Sequence, residues 1–556
     1  QQKERLKEVE HILPLAYPDQ LMYEKFLEMV KQYPDKTAII DSVLQKKITY
    51  SELKHMAMSV AQGLIENGVS PNDYVSITLT RGYRQIIAIL GVQLAGAAYV
   101  PVSDKQPSER RNKIYEQIGI KHCISEEKTI ESCELEKDDT QVLKLSSLLT
   151  YKELDKPVEI PCDASAYVIM TSGSTGVPKG VEIAHRSAIN TISDLNKTYH
   201  VTEKDCLMTI SAIDFDLSVY DMFGMLSAGG TIISLAEDNY KNPDVWLKLI
   251  AEYKVTLWNS VPILFNMLVT MAEGREEKLA IRMAFLSGDW IPIDLPGRFY
   301  AISDVASLIV AMGGATEASI WSNYLEVPRE IPKHWVSIPY GKPLLNQVYR
   351  VVDAYGRICP NMVMGELQIG GVGVAMGYRG DEKLTDAKFF RDENNVPWYR
   401  TGDNGRIWND GTIEFLGRRD SQVKIKGHRI ELGEIENAIR KFDGVKDVIV
   451  SAIGNTNIDK KIFAFLQVDE NSAAFAQEVE NKRDMAVFSQ EKRENRCAFV
   501  QALNHLTAEF IKGIVAETAT LAVKDEFVEV ISLWKKELES TAREDDTLSG
   551  GILDTY

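Results

Sequence analysis

At 556 residues, with 45% hydrophobic and 26% charged side chains, the chain is too long for a single core and has the composition of an ordinary soluble globular protein of two or more domains. A formal net charge of -17 argues against nucleic acid as a partner, because phosphate backbones are met by basic patches; no apolar run approaches the ~20 residues of a membrane span. The six cysteines (Cys123, Cys133, Cys162, Cys206, Cys359, Cys497) show neither C-x-x-C spacing nor disulfide density, and the polar start Gln1-Gln-Lys-Glu-Arg5 lacks a secretory core, so free thiols and a cytoplasmic location are expected.

Residues 1–30, with Pro14, Pro18 and scattered charge, read as a linker leading out of an upstream domain. From Lys36 short β-branched runs alternate with amphipathic helices: Thr37-Ala-Ile-Ile40, then a capping box Thr49-Tyr-Ser-Glu52 opening a helix to about Asn67, then Tyr74-Val-Ser-Ile-Thr78. That alternation predicts an α/β core with mixed or parallel sheets between helices. The small residues of Leu94-Ala-Gly-Ala-Ala-Tyr-Val-Pro-Val102 permit close helix–strand packing. The apolar run Ala166 to Met170 ends in Thr171-Ser-Gly-Ser-Thr-Gly-Val-Pro-Lys-Gly180, a loop of three glycines, four hydroxyl residues and one lysine. Such a loop wraps backbone N–H groups and a cation around phosphate, so the chain is expected to handle a nucleotide. It is not the common phosphate cradle, since the sixth position from Gly173 is Pro178 and Lys179 is followed by Gly180.

Further landmarks follow in order: Phe215-Asp-Leu-Ser-Val219, Gly313-Gly-Ala-Thr-Glu317, Gly365-Glu-Leu-Gln-Ile-Gly-Gly371, Tyr399-Arg-Thr-Gly-Asp403, Gly417-Arg-Arg-Asp420 and Gln422-Val-Lys-Ile-Lys-Gly-His-Arg-Ile-Glu431. Together with the loop, over roughly 430 residues, they resemble the signatures of the adenylate-forming superfamily, and within it an adenylation domain of a nonribosomal peptide synthetase. The resemblance implies a large core over 31–419, a hinge between Gly417 and Lys426, and a smaller α+β subdomain over 420–470. Gly433-Glu-Ile-Glu-Asn-Ala-Ile-Arg440 begins that subdomain's helix, and Asp447–Ser451 and Lys461–Gln467 are two of its strands. Beyond about Asp469 the family's Asn-Gly-Lys motif does not appear. Ser472 to Glu539 is a run of helix formers, and residues 471–556 are expected to be the truncated helical entry of an inserted domain such as a methyltransferase or oxidase.

By the same resemblance the cofactors are ATP and Mg²⁺. Thr171, Ser172, Gly173, Ser174, Thr175, Gly176 and Lys179 would embrace the β- and γ-phosphates; Gly314, Thr316 and Glu317 would lie on the α-phosphate side, with Glu317 as the metal ligand, because a hard cation takes carboxylate oxygen. Asp403, on a turn, would accept the ribose hydroxyls with Arg418 beside it, and Asp420 would be the pivot of the small subdomain. Asp216, buried behind an apolar strand, needs a cationic partner, which the α-ammonium of an amino acid supplies. The pocket set Asp216, Leu217, Tyr220, Asn259, Phe285, Ser287, Met312, Ile320 and Trp321 is similar to that of cysteine-activating domains in thiazoline and siderophore synthetases, with Phe285 and Met312 departing from the commonest residues.

The expected reaction is therefore activation of L-cysteine by Mg-ATP to cysteinyl-AMP and pyrophosphate, then transfer to the phosphopantetheine thiol of a peptidyl carrier domain. Other implied partners are an upstream condensation or cyclization domain and, as many relatives require, a small MbtH-like accessory protein. Two alternatives stand beside this reading. An acyl- or aryl-CoA ligase would work without a substrate ammonium; a binding module lacking the C-terminal lysine would hold ATP and amino acid yet adenylate slowly.

Overall fold

The computed structural model describes residues 19–133, 135, 140–172, 178–276, 278–303, 306–333, 335, 337–418, 422–425, 428–440, 445–453 and 461–468. The predicted helical run over 471–556 and Cys497 lie outside the described residues. The chain divides into two units, residues 1–441 with 456–460 and residues 442–455 with 461–556.

The first unit is built on two sheets whose strands run mainly parallel. One orders its strands Lys342–Pro343, Asn323–Glu326, Leu308–Gly313, Met283–Leu286, Leu257–Ser260, Cys206–Met208, Thr231–Ser234, Thr37–Asp41 and Lys47–Thr49. The other orders Gly377–Arg379, Lys179–Ala184, Ser165–Thr171, Ala98–Pro101, Tyr74–Thr78, His122–Ser125 and Gln141–Lys144. Alternation along the strands explains the layering. Ile39, Ile232, Leu257, Phe285 and Val310 of the first sheet share one buried cluster with Val75, Ile77, Tyr99, Tyr167 and Val181 of the second. The intervening residues Met208, Trp258, Ala284, Leu286 and Ile309 pack outward under the helices Pro243–Tyr253, Pro262–Ala272 and Leu295–Ile302. Val100, Cys123 and Val168 do the same on the second sheet, under Ser108–Ile118. The mixed, helix-covered α/β core expected from the pattern is what forms.

The capping box closes as expected: Thr49 accepts from the Glu52 N–H at 3.2 Å and Glu52 Oε2 accepts from the Thr49 N–H at 2.7 Å, starting the helix Tyr50–Glu66. Gly96 takes φ +78° at the corner into the strand Ala98–Pro101. The linker expectation fails from Leu21 onward. Glu24–Gln32 is an amphipathic helix whose Phe26 and Val30, with Met22, join the central core, and the Met22 N–H donates to Nδ1 of buried His185 at 3.2 Å. Charge on the outer face of that helix produced the linker-like composition.

A third, antiparallel sheet orders Gln347–Val352, Gly365–Gly371, Pro397–Ile407 and Phe389–Arg391, with Ile413–Arg418 also on Pro397–Ile407. The hairpin Gln422–Ile425 with His428–Glu431 and the helix Leu432–Ile439 complete the described part of the first unit. In the second unit the expected strands form an antiparallel pair, Val445–Ile453 with Lys461–Val468.

Candidate functional site

The candidate pocket residues converge at the carboxyl ends of the parallel strands of the larger sheet, where open α/β sheets place their ligands. Asn259 and Phe285 are register partners on adjacent strands, and Ser287 directly follows the second strand. Tyr220 lies 5.3 Å from the Phe285 ring and 5.4 Å from Trp321, and the Trp321 indole N–H donates to Ser287 Oγ at 2.8 Å. Leu217, Met312 and Ile320 belong to the same buried cluster. Each of these residues would pass for core by composition; the fold brings all of them together.

The loop carrying Trp321 is strained. Ser319 and Ile320 have φ +59° and +72°, and a β-branched residue in the left-handed region is rare. Three bonds hold the loop: Ser319 Oγ to Gly373 O at 2.7 Å, Thr191 Oγ1 to Ser319 O at 3.2 Å, and Gln347 Nε2 to Trp321 O at 2.9 Å. Strain of this kind persists where surroundings over-determine it, as at ligand-binding loops.

Asp216 is 5% exposed and sits at the start of a short helix, Leu217–Val219. The strand before it ends at Met208, so a loop rather than a strand delivers it, but burial is as expected. Burial pushes its carboxyl up to about 6; a hydrogen bond with the Thr316 side chain and the charge of Lys424 oppose that rise, while Glu317 adds to it. Two carboxylates in one dry site call for cations, and a substrate ammonium is one.

Glu317 is wholly buried, with the Tyr378 hydroxyl donating to its Oε1 at 2.8 Å. Tyr378 belongs to the strand Gly377–Arg379, which pairs with the strand beginning at Lys179. Thr171 pairs in register with Lys179, and its Oγ1 donates to Lys179 O at 3.3 Å. The Lys179 ammonium stands 3.8 Å from the Glu431 carboxylate, which also accepts from Gln422 Nε2 at 2.5 Å. Gly314 takes φ +138° and turns the chain from the strand Leu308–Gly313 into Thr316 and Glu317. A cation and hydroxyls on adjoining strands, with a buried carboxylate in the short turn Thr316–Ala318, suit a triphosphate with its metal. Glu317 with the neighbouring Thr316 hydroxyl is an oxygen donor set of the kind Mg²⁺ takes when phosphates supply its other ligands. Such a metal needs no protein cage, and among the described residues no group of three or more His, Cys, Asp or Glu side chains forms one.

Asp403 and Arg418 are register partners, joined at 2.7 Å, and Arg418 also donates to Thr401 O at 3.1 Å. The expected turn at Thr401–Asp403 is instead an irregularity inside the strand Pro397–Ile407: pairing slips opposite Glu366 to Gln368, and Gly402 takes φ +76°. A bulge re-aims the Asp403 carboxylate without ending the strand. Ser172 is described, whereas Gly173, Ser174, Thr175, Gly176 and Asp420 lie outside the described residues.

Sequence reasoning assigned no role to Glu431, Lys424 or Tyr378. Glu431 and Lys424 stood in a quoted motif, but nothing in the spacing says that they face Lys179 and Asp216.

With this geometry in view, comparisons identify the class. The family model for AMP-binding enzymes matches residues 26–379, and the chain belongs to that family. Solved structures place it among adenylation domains of nonribosomal peptide synthetases. The synthetase FmoA3 with AMPPNP bound is similar at TM-score 0.69 and 36% identity, over 73% of this chain and 43% of that one. The fused adenylation–PCP di-domain NpsA-ThdA from Klebsiella oxytoca is similar at TM-score 0.73 and 26% identity, over 84% and 91%. Among curated relatives, an anguibactin system regulator from Vibrio anguillarum is 46% identical over 461 residues, 83% of this chain and 43% of its own. Pyochelin synthetase PchE from Pseudomonas aeruginosa is 43% identical over 445 residues, 79% and 30%. The chain therefore spans less than half the length of these two curated relatives. No helix among the described residues is long and apolar enough to cross a membrane.

Proposed function

We propose that the chain activates L-cysteine: an oxygen of the substrate carboxylate attacks the α-phosphorus of ATP, the bond to pyrophosphate breaks, and cysteinyl-AMP forms. The observation that carries this reading is Asp216, a buried carboxylate next to Leu217, whose main-chain oxygen accepts from Asn259, together with the buried, hydrogen-bonded pair Ser287 and Trp321. Asp216 would offer an ammonium partner, and Asn259 and Ser287 would face a short polar side chain. Lys179 would meet the β- and γ-phosphates, with Ser172 and the loop after it. Glu317 would hold Mg²⁺, which when bound neutralises phosphate charge. Asp403 and Arg418 would orient the ribose. Relatives named for pyochelin and anguibactin systems support a thiol-bearing amino acid.

The acyl group would then pass to a phosphopantetheine thiol on a peptidyl carrier domain, with a condensation or cyclization domain upstream and an MbtH-like protein as accessory partner. We assign residues 420–470 to the small subdomain and 471–556 to the entry of an inserted domain. The test is calorimetric binding of L-cysteine with ATP and Mg²⁺ against serine, valine and salicylate, followed by pyrophosphate release. Cysteine-selective binding with release supports the whole reading. Selective binding without release points to the module lacking a competent C-terminal lysine, and turnover of salicylate would favour a CoA-ligase type.

A further inference from the structure

One buried acid plays no part in the site so far. Asp221 is completely inaccessible and lies in a π-helical turn, Tyr220–Gly224, immediately after the pocket residue Tyr220. Single π turns inside helices are rare and concentrate at functional sites. Its Oδ1 accepts from Asn259 Nδ2 at 2.7 Å, and the same amide nitrogen donates to Leu217 O at 3.1 Å. Both amide protons of Asn259 are thereby committed to acceptors, which fixes which end of the amide is which. The remaining polar atom, Asn259 Oδ1, is buried without a hydrogen-bond partner. Buried acceptors are normally satisfied, and each exception needs a reason.

We propose that Asp221 is a positioning residue that locks the Asn259 amide with its carbonyl oxygen committed to the side-chain pocket, so that the site favours an amino acid whose short side chain ends in a hydrogen-bond donor. The proposal rests on the cysteine reading and deepens it. Ser287 complements the arrangement. Its oxygen already accepts from Trp321, so its own proton is left to donate. An S–H or O–H group entering beside Asn259 would meet an acceptor and a donor; a methyl group of the same size would satisfy neither. Burial pushes the Asp221 carboxyl up to about 8, against the Asn259 bond, a Ser211 main-chain N–H and the charge of Arg81. An acid so unfavourably placed is accounted for by the orientation it imposes, since an apolar residue would pack there without that penalty.

The test compares L-cysteine with L-2-aminobutyrate, which carries a methyl in place of the thiol, in amino-acid-dependent pyrophosphate exchange. Wild type should prefer cysteine. In Asp221→Leu the ratio of kcat/KM values should fall about fivefold to tenfold, on the order of one lost hydrogen bond, through the amino-acid KM and with the ATP KM unchanged. Asn259→Val should lose the same factor, the double variant no more, and Asp221→Asn, whose amide carbonyl can still accept, should restore the ratio. A purely structural role would instead lower turnover of both amino acids equally and raise both KM values, which overturns the proposal. If Asp221→Leu does not fold, Asn259→Val and Asp221→Asn decide: an unchanged ratio in the first, or a lost ratio in the second, refutes it. Absence of any cysteine preference in wild type would sink the cysteine reading itself, whereas a wild-type preference that survives these variants sinks only the role of Asp221.

Discussion

Lys179 and Glu431, 252 positions apart, face each other at 3.8 Å, both largely withdrawn from water. The carboxylate occupies part of the field that phosphate would otherwise have from this lysine. Glu431→Gln should therefore lower the ATP dissociation constant about threefold to tenfold, a moderate effect because the pair is long. Lys179→Ala should weaken ATP use by at least tenfold. Isothermal titration of ATP into both variants checks the sign, and weaker binding in Glu431→Gln would show that this carboxylate supports the nucleotide.

Asp216 is pushed up to about 6 mainly by burial, and if it pairs with the substrate ammonium the amino-acid affinity should be pH-dependent. Below that value it protonates and loses its attraction for an ammonium, so the amino-acid KM should rise about tenfold per pH unit, with the ATP KM nearly flat. The folded group binds its proton more tightly than the unfolded one, so its contribution to stability falls as pH rises from about 4 to 6. At pH 7 that penalty is at most roughly 3 kcal/mol. Asp216→Asn should consequently melt higher than wild type at pH 7 while losing amino-acid-dependent pyrophosphate exchange; a lower melting temperature would contradict the burial argument.

The Asp403–Arg418 pair predicts a sugar-specific defect. If Asp403 accepts from the ribose hydroxyls, Asp403→Ala should use ATP and its 2′,3′-dideoxy analogue with nearly equal KM, whereas wild type should favour ATP about tenfold or more. Competition kinetics with the two nucleotides would show it. Equal discrimination in wild type and variant would remove Asp403 from the ribose site.

Gly314 is required for two reasons. It takes φ +138°, and a Cβ there would stand 2.6 Å from Ser322 Oγ and 2.9 Å from the Ser322 main-chain nitrogen, which cannot move aside. Gly314→Ala should cost about 1–3 kcal/mol and displace Thr316 and Glu317, raising the KM of both substrates. Gly297, helical with nothing within 4 Å of its Cβ position, is the control: Gly297→Ala should stabilise by up to about 1 kcal/mol. Thermal melts of the two variants moving in the same direction would contradict this account.

Local signals carried the early part of the chain well. Thr49 and Glu52 announce their helix because capping is a contact between near neighbours, and Thr37–Ile40 and Tyr74–Thr78 announce strands because each short run holds three β-branched residues. The position of Trp321 against Ser287, by contrast, depends on two left-handed residues, Ser319 and Ile320, that no propensity favours. Glu24–Gln32 was obscured because the charged face of its helix hides Met22, Phe26 and Val30 in a composition typical of linkers. Asp403 was legible as a residue but not as a bulge, since the slip arises from its partner strand at Glu366 to Gln368. Asp221 offered no signal beyond an ordinary acid in a helical run. Its meaning lies in the amide of Asn259, 38 residues further on.

The strand that begins at Lys179 has a neighbour on one side almost at once, from Ser165–Thr171, but its other neighbour, Gly377–Arg379, is about 200 residues away in the chain. At synthesis rates of roughly 5–20 residues per second, that edge stays open for roughly 10–40 s on the ribosome. Tyr378, and with it the hydroxyl that holds Glu317, arrives on the same late strand. A nascent chain released before Arg379 would carry Lys179 on an uncovered sheet edge, a ready site for pairing with another chain, and if Lys179 meets phosphate, nucleotide-binding competence should emerge only after the third sheet has begun to leave the exit tunnel.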